Sequence, residues 1–247
     1  MAYLGYRAPL PVWSSPGIIM PPQDFSDSDE KWLSFTARLV EAVLDYKRKI
    51  DTDLVKVDMS GSLPMDMVQY TQLYGATRIP GMVSDSQVVD SDPNYIIVMH
   101  RGNAFVMETK DVDGNDLKAS QIYYSLQHAL AESKRLGSIG KIGLLTSDTR
   151  QNWYKAHQVL KVQDSETLSK IEGSSFVLCL DETLEESGKD KLTSTALNSL
   201  HGIGTSVNGS NRWYDKALQF IVAKSGEVAI CNEHSFAEAV PTSKFNT

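Results

Sequence analysis

Apolar residues recur at intervals of three and four positions between residues 32 and 50. The members of this stripe are Trp32, Phe35, Leu39, Val43, Tyr46 and Ile50. That spacing places their side chains on one face of an amphipathic helix. Asp27, Ser28 and Asp29 stand just before the stripe, and any one of them can cap the helix. The pattern therefore predicts a helix with one buried face.

A second stripe predicts another helix, which begins near Ser120 and ends at the glycine-rich residues 137–143. Its members are Ile122, Leu126, Ala129 and Leu130. Residues 153–160 predict a third helix. Short runs of β-branched and aromatic residues predict strands. These runs are residues 95–99, 104–107, 142–146, 176–180, 217–223 and 228–231.

Turn residues organise these strands into pairs. Residues 101–103 separate the first two strands and predict a hairpin, and Ser225-Gly226 separates the last two. Strands that alternate with helices predict a layered α/β domain, and we expect a single domain over 1–247. The acidic residues 181–190 hold few apolar side chains and predict a loop.

The composition and charge of the chain argue against several classes of function. The net charge of −7 comes without any cluster of Lys and Arg, so we expect no nucleic-acid partner. No apolar stretch reaches the roughly 18 residues of a membrane-spanning helix, and residues 1–3 lack the charge of a targeting segment. As written, the chain is expected to be cytoplasmic. Cys179 and Cys231 lie in apolar runs and are interpreted as reduced core residues.

His234 follows the last predicted strand, where the strand opens into a loop. Its imidazole can take up and return a proton near neutral pH, which suits the deprotonation of an alcohol or a thiol. A histidine satisfied within the core is the alternative interpretation of an isolated histidine beside apolar residues. Strand alternation places His234 on the same face as Val228 and Ile230.

Metal and phosphate sites are not predicted. Asp111, Asp113 and Asp116 resemble a calcium loop, but the spacing puts Asp116 where the loop needs glycine. Residues 137–141 lack the first glycine of a phosphate loop. The five histidines do not stand at metal-ligand spacing, so we expect no bound metal.

A series of motifs along the chain resembles the carnitine/choline acyltransferase family. In order, these are Tyr3-Leu4-Gly5-Tyr6-Arg7, Leu10-Pro11, Ser14-Ser15-Pro16-Gly17, Met67-Val68-Gln69-Tyr70, Thr77-Arg78-Ile79-Pro80-Gly81, Ile142-Gly143-Leu144-Leu145-Thr146, Phe176-Val177-Leu178-Cys179-Leu180-Asp181, His201-Gly202 and Asn211-Arg212-Trp213-Tyr214-Asp215-Lys216. The run around Glu233-His234 follows them. The resemblance covers nearly the whole chain, and its strength lies in the order of the motifs.

The resemblance implies a fold and a set of roles. The fold is an α/β layered domain with a mixed central sheet flanked by helices, like one half of the two-domain, chloramphenicol acetyltransferase-like enzymes of the family. His234 is then the catalytic general base, and Tyr3 lines the pocket for the acceptor alcohol. Glu238 either helps to orient the imidazole or is a solvated carboxylate. Arg212, Trp213 and Asp215 are implied to be structural, bracing the strand that leads to His234.

The resemblance also implies an activity. It is direct transfer of an acetyl or short acyl group between coenzyme A and the hydroxyl of carnitine, with acyl-CoA as co-substrate and no bound cofactor. Choline as the acceptor and a catalytically inactive half-enzyme remain the alternatives. Members of the family are also mitochondrial or peroxisomal.

Thirteen residues follow His234, and in the family the coenzyme A-binding half lies downstream of this histidine. The sequence is therefore expected to be a fragment, inactive by itself, that leaves Val228, Ile230 and Phe236 exposed.

Overall fold

A six-stranded mixed sheet forms the centre of the computed structural model, which describes residues 2–90, 92–138, 140–182 and 190–246. The strands are β1 (Gly17–Ile19), β6 (Tyr95–His100), β7 (Asn103–Glu108), β8 (Val177–Asp181), β9 (Leu218–Ala223) and β10 (Val228–Asn232). They lie in the order β1-β10-β9-β8-β6-β7. β8 is parallel to both of its neighbours, and the other pairs are antiparallel. The predicted layered α/β fold with a mixed sheet is confirmed.

Two long helices cover one face of the sheet. They are α2 (Asp29–Asp51) and α3 (Ala119–Leu136). The predicted stripe of α3 is fully buried, whereas in α2 only Trp32 and Val43 of the predicted stripe are, and its other members are partly buried beside Leu33, Ala37, Val40 and Leu44. Ser28 caps α2 by accepting a hydrogen bond from the backbone N–H of Lys31. The Trp32 indole donates a hydrogen bond to the Val222 carbonyl of the sheet at 3.2 Å, so the buried face of α2 is fixed directly to β9.

The opposite face of the sheet packs against α4 (Arg150–Gln163) and α5 (Ser165–Gly173), and α6 (Lys191–His201) lies along β1 and β10. Strand alternation divides the core between the two faces. Val228 and Ile230 join the cluster that contains α2 and α3, whereas Ala229 and Cys231 join the cluster that contains α4 and α5. Cys179 and Cys231 are free and fully buried, as predicted.

Smaller elements precede and surround the sheet. They are α1 (Ala2–Gly5), β2 (Met59–Ser60), β3 (Leu63–Pro64), β4 (Ala76–Ile79), β5 (Ser86–Val89), α7 (Ala239–Ser243), and short 3-10 helices at Val68–Gln72, Ile142–Ser147 and Lys244–Asn246. β4 and β5 pair as an antiparallel ribbon. The Ala217 N–H donates a hydrogen bond to the Ala76 carbonyl, which fixes this ribbon beside the start of β9.

Three expectations need correction. Residues 142–146 form a 3-10 helix instead of a strand, and Gly143 lies so close to the carbonyls of Ser210 and Arg212 that a Cβ would clash with both. Asp181 belongs to β8 instead of the acidic loop, and residues 183–189 of that predicted loop lie outside the described residues. Val228, Ile230 and Phe236 are buried instead of exposed, because Val228 and Ile230 pack in the cluster with α2 and α3 and Phe236 packs against Ala76 and Ala217.

Candidate functional site

The backbone that carries His234 is held on both sides. β10 ends at Asn232, and the Asn232 N–H donates a hydrogen bond to the Pro16 carbonyl at 3.2 Å. On the other side of β10, the Glu233 N–H donates a hydrogen bond to the carbonyl of Ala217, the residue before β9, at 3.1 Å. The His234 N–H then donates to the Ser14 carbonyl at 2.9 Å. His234 therefore leaves the sheet on a backbone whose direction is fixed residue by residue.

Tyr3, His234 and Glu238 meet in space. The rings of Tyr3 and His234 lie 5.3 Å apart between centroids, at an interplanar angle of 44°. Nε2 of His234 lies 3.4 Å from Oε2 of Glu238. Nδ1 is sealed from solvent and has no hydrogen-bond partner among the residues that the structure describes, while the side chain as a whole is 21% exposed. The structure thus brings the three candidate site residues together at a partly open imidazole.

Tyr3 and Glu238, which lie beside the His234 ring, also form hydrogen bonds with other segments of the chain. Tyr3 is half exposed, yet its carbonyl accepts a hydrogen bond from Nη2 of Arg78 at 2.7 Å. The Glu238 carboxylate is 62% exposed, and its backbone N–H donates to Oε1 of Gln69. A carboxylate at this distance can help to hold the imidazole in one orientation. The geometry is compatible with the orienting role of Glu238 and also with a solvated carboxylate.

Glu233 is a buried acid beside His234 that the sequence reasoning did not single out. Its Oε1 accepts hydrogen bonds from Nη1 of Arg78 at 2.8 Å and from Oγ of Ser14 at 3.0 Å. Its Oε2 accepts from the N–H and the hydroxyl of Ser235. A buried carboxylate is stable only when it is paired and hydrogen-bonded, and this one is both.

Three arginines converge on Asp85, which precedes β5. Arg78 and Arg150 donate from Nε to Oδ2 at 2.7 Å, and Arg7 donates from Nη1 to Oδ1 at 2.7 Å. Burial alone would raise the pKa of Asp85, but Arg150 and the other donors hold it below its usual value. The signal in the sequence was Arg78 itself, a charged residue between Thr77 and Ile79 in a β-rich run.

Arg212, Trp213 and Asp215 lie beneath the sheet, fully buried. Arg212 pairs with Asp181 at the end of β8, and Asp215 pairs with Arg150 at 2.6 Å. Trp213 packs edge-on against Trp153, with ring centroids 5.7 Å apart. Arg212 and Asp215 therefore act in two separate ion pairs that connect different elements, and their structural role stays a prediction.

Lys216 ends this block with a buried ammonium group. Its Nζ donates hydrogen bonds to Oγ1 of Thr77 and to the carbonyls of Glu172 and Ser174. Burial lowers the pKa of Lys216 to about 7. Because all three acceptors lie at the end of α5 or on β4, Lys216 connects the ribbon to that helix.

Neither a metal centre nor a membrane helix is found in the described part of the chain. No group of three His, Cys, Asp or Glu side chains there could hold a metal ion. The Asp111 carboxylate instead accepts backbone hydrogen bonds from Asp113 and Asn115, as in a turn. Among the same residues, every helix is too short or too polar to cross a bilayer.

Sequence comparison matches the whole chain to one family and to named relatives. Residues 1–247 match the family model described as Choline/Carnitine o-acyltransferase. The chain is 38% identical over 248 residues to the human carnitine O-acetyltransferase, covering 97% of this chain and 39% of that protein. It is 38% identical over 252 residues to the choline O-acetyltransferase of Rattus norvegicus, covering 94% of this chain and 38% of that protein.

The chain thus spans about two-fifths of the length of these relatives. Within that span, the match extends over the motifs at 3–7, 77–81 and 211–216 and over the loop that carries His234. A family model that matches every residue of the chain settles its relationship. The chain belongs to the choline/carnitine O-acyltransferase family.

Proposed function

We propose that the protein transfers an acetyl or short acyl group between coenzyme A and the hydroxyl of carnitine, with His234 as the general base. His234 takes the proton of the hydroxyl, and the oxygen attacks the carbonyl carbon of the thioester. The carbon–sulfur bond breaks, and the sulfur of coenzyme A leaves with the proton that His234 returns. Transfer is direct, so no acyl group is attached to the protein.

The single observation that supports this proposal is the setting of the His234 imidazole. The ring is partly open to solvent, its backbone is fixed by the Ser14 carbonyl, and a carboxylate lies 3.4 Å from Nε2. A general base needs access to the substrate and a fixed orientation, and the contact with Glu238 contributes to that orientation. Tyr3, whose ring lies beside the imidazole, is proposed to line the pocket for the acceptor alcohol.

The test uses the complete protein that carries this sequence, because positioning of both substrates supplies much of the rate. His234→Gln is expected to lower kcat for acyl exchange by about 10²- to 10⁴-fold. His128→Gln, at an exposed position on α3, is the control and is expected to retain the wild-type rate. An exchange rate for His234→Gln within a few-fold of the wild-type rate would show that another group is the base.

Choline is the second candidate acceptor, because the identity to choline O-acetyltransferase equals that to carnitine O-acetyltransferase. The two alcohols should compete for the same complete protein, with acetyl-CoA as the donor. We expect the higher kcat/KM for carnitine, since the match to carnitine O-acetyltransferase covers slightly more of the chain. A higher kcat/KM for choline would reassign the acceptor.

A further inference from the structure

Arg78 connects the segments that carry Tyr3 and His234, whose rings lie 5.3 Å apart at the candidate site. Its Nη2 donates to the Tyr3 carbonyl at 2.7 Å, and its Nη1 donates to Oε1 of Glu233 at 2.8 Å. Glu233 is bonded through the chain to His234. The Arg78 guanidinium therefore contacts Tyr3 and also Glu233, which precedes His234 in the chain.

The guanidinium group is itself fixed. Its Nε donates to Oδ2 of Asp85 at 2.7 Å, and the Arg78 backbone N–H donates to the Asp215 carbonyl at 2.8 Å. The side chain is 1% exposed, so water does not compete for these bonds. Because the donors of guanidinium lie in one rigid plane, the distances among its three partners are fixed together.

Tyr3 and His234 lie on segments that are each held by backbone hydrogen bonds to different partners, the Leu4 carbonyl to the Asp85 N–H and the His234 N–H to the Ser14 carbonyl. Residue 3 belongs to the four-residue helix α1, and residue 234 lies in a loop beyond β10. The two are more than two hundred positions apart, so no local element of structure sets the distance between their side chains. Arg78, on the paired strand β4, supplies a fixed point that is shared by both segments.

We propose that Arg78 is a positioning residue that sets the geometry between the Tyr3 side chain and the His234 imidazole. The inference rests on the proposed acyl transfer, and it adds a residue that touches neither substrate. It makes a distinct kinetic prediction. Loosening Tyr3 impairs binding of the acceptor alcohol, and loosening His234 slows the proton transfer, whereas the thioester substrate keeps its affinity.

The kinetic test compares Arg78→Lys with Arg150→Lys in the complete protein. Lysine retains the charge but offers a single nitrogen, which cannot reach Asp85, Glu233 and the Tyr3 carbonyl together. Arg150 is the matched control, because it is equally buried and donates to the same Oδ2 of Asp85, while its other ion pair is with Asp215.

For Arg78→Lys we expect kcat to fall by about 10- to 100-fold and the KM for the alcohol to rise, with an unchanged KM for acyl-CoA. Rates are given per correctly folded active site, so a loss of folded protein does not imitate this result. Arg150→Lys should lower the melting temperature without this split between the two KM values. Wild-type parameters for Arg78→Lys, or the same split for Arg150→Lys, would overturn the proposal.

A second measurement does not depend on activity. The ring signals of His234 in ¹⁵N-histidine NMR spectra, identified by their loss in His234→Gln, should shift or broaden in Arg78→Lys and stay in place in Arg150→Lys. Glu233→Gln preserves the shape of the buried side chain and should also move these signals, so it replaces Arg78→Lys if that variant does not fold. Signals that superimpose on those of the wild type would overturn the proposal. A wild-type protein without acyl exchange would refute the function, while these spectra would still decide the role of Arg78.

Discussion

Asp181 offers a sharp test of how the family block at 211–216 supports the fold. Its side chain is fully buried at the end of β8 and accepts four hydrogen bonds from other described residues. Oδ1 accepts from Nη1 of Arg212 and from Nδ2 of Asn211, each at 2.9 Å. Oδ2 accepts from Nη2 of Arg212 at 2.7 Å and from Nδ2 of Asn198 at 2.9 Å. The perturbation is Asp181→Asn, which replaces one acceptor oxygen by a donor and removes the charge.

The magnitude follows from what the substitution leaves behind. Arg212 is fully buried, so it would keep a positive charge without the Asp181 counterion. Breaking a buried ion pair by removing one partner costs about 3–5 kcal/mol of unfolding free energy. For a domain of this size, each kcal/mol lowers the melting temperature by about 2–4 °C. Asp181→Asn should therefore lower it by roughly 6–20 °C.

The assay is denaturant unfolding followed by tryptophan fluorescence, with Arg212→Met and the double variant measured alongside. The double variant should lose less unfolding free energy than the two single variants combined, by at least about 1 kcal/mol, because neither charge is then left alone. Asp45→Asn is the control, since Asp45 forms exposed pairs with Arg48 and Lys49 worth at most about 1 kcal/mol. Equal losses for Asp181→Asn and Asp45→Asn, or additive single variants, would refute the reasoning.

Three further predictions concern pH, thiol chemistry and the imidazole. Because the pKa of Lys216 is lowered to about 7, the unfolded state binds more protons between pH 7 and about 10. The unfolding free energy of the wild type relative to Lys216→Met should thus rise with pH across that range, by up to about 1.4 kcal/mol per pH unit. A difference in unfolding free energy that does not change with pH would contradict the lowered pKa. Burial raises the pKa of Cys179 and Cys231 to about 12, so a thiol reagent should label neither in the native protein and both in denaturant. Glu238→Gln should lower kcat by about 10- to 100-fold while the melting temperature stays within about 1 °C, and an unchanged kcat would identify Glu238 as a solvated carboxylate.

The sequence predicted those elements whose pattern is long or whose turn is distinctive. The stripe from Trp32 to Ile50 and the cap at Ser28 define α2, and Arg101-Gly102 forms the turn of the hairpin between β6 and β7. Residues 142–146 misled the prediction because periodicity cannot distinguish a short apolar run in a strand from one in a helical turn. β1 has three residues and no alternating pattern, so only its pairing with β10 reveals it.

The sequence identified the residues of the candidate site but not the hydrogen bonds that connect them. His234, Glu238 and Tyr3 were found through motifs, and the structure brings them together. The contacts of Arg78 with Tyr3 and Glu233 could not be predicted, because hydrogen bonds between positions far apart in the chain leave no periodic signal. The pairing of Arg212 with Asp181 was hidden for the same reason.

The pairing of β1 with β10 also sets an order of events in folding. Gly17 lies opposite Cys231 and Ile19 opposite Ala229, so this edge strand pairs with a partner that is synthesised more than two hundred positions later. The hairpin of β6 and β7 can form at once from neighbouring residues, whereas closing so long a loop is slow. During synthesis β1 therefore remains unpaired until the residues of β10 have been added. A chaperone that protects the unfinished sheet would find an unpaired strand in β1.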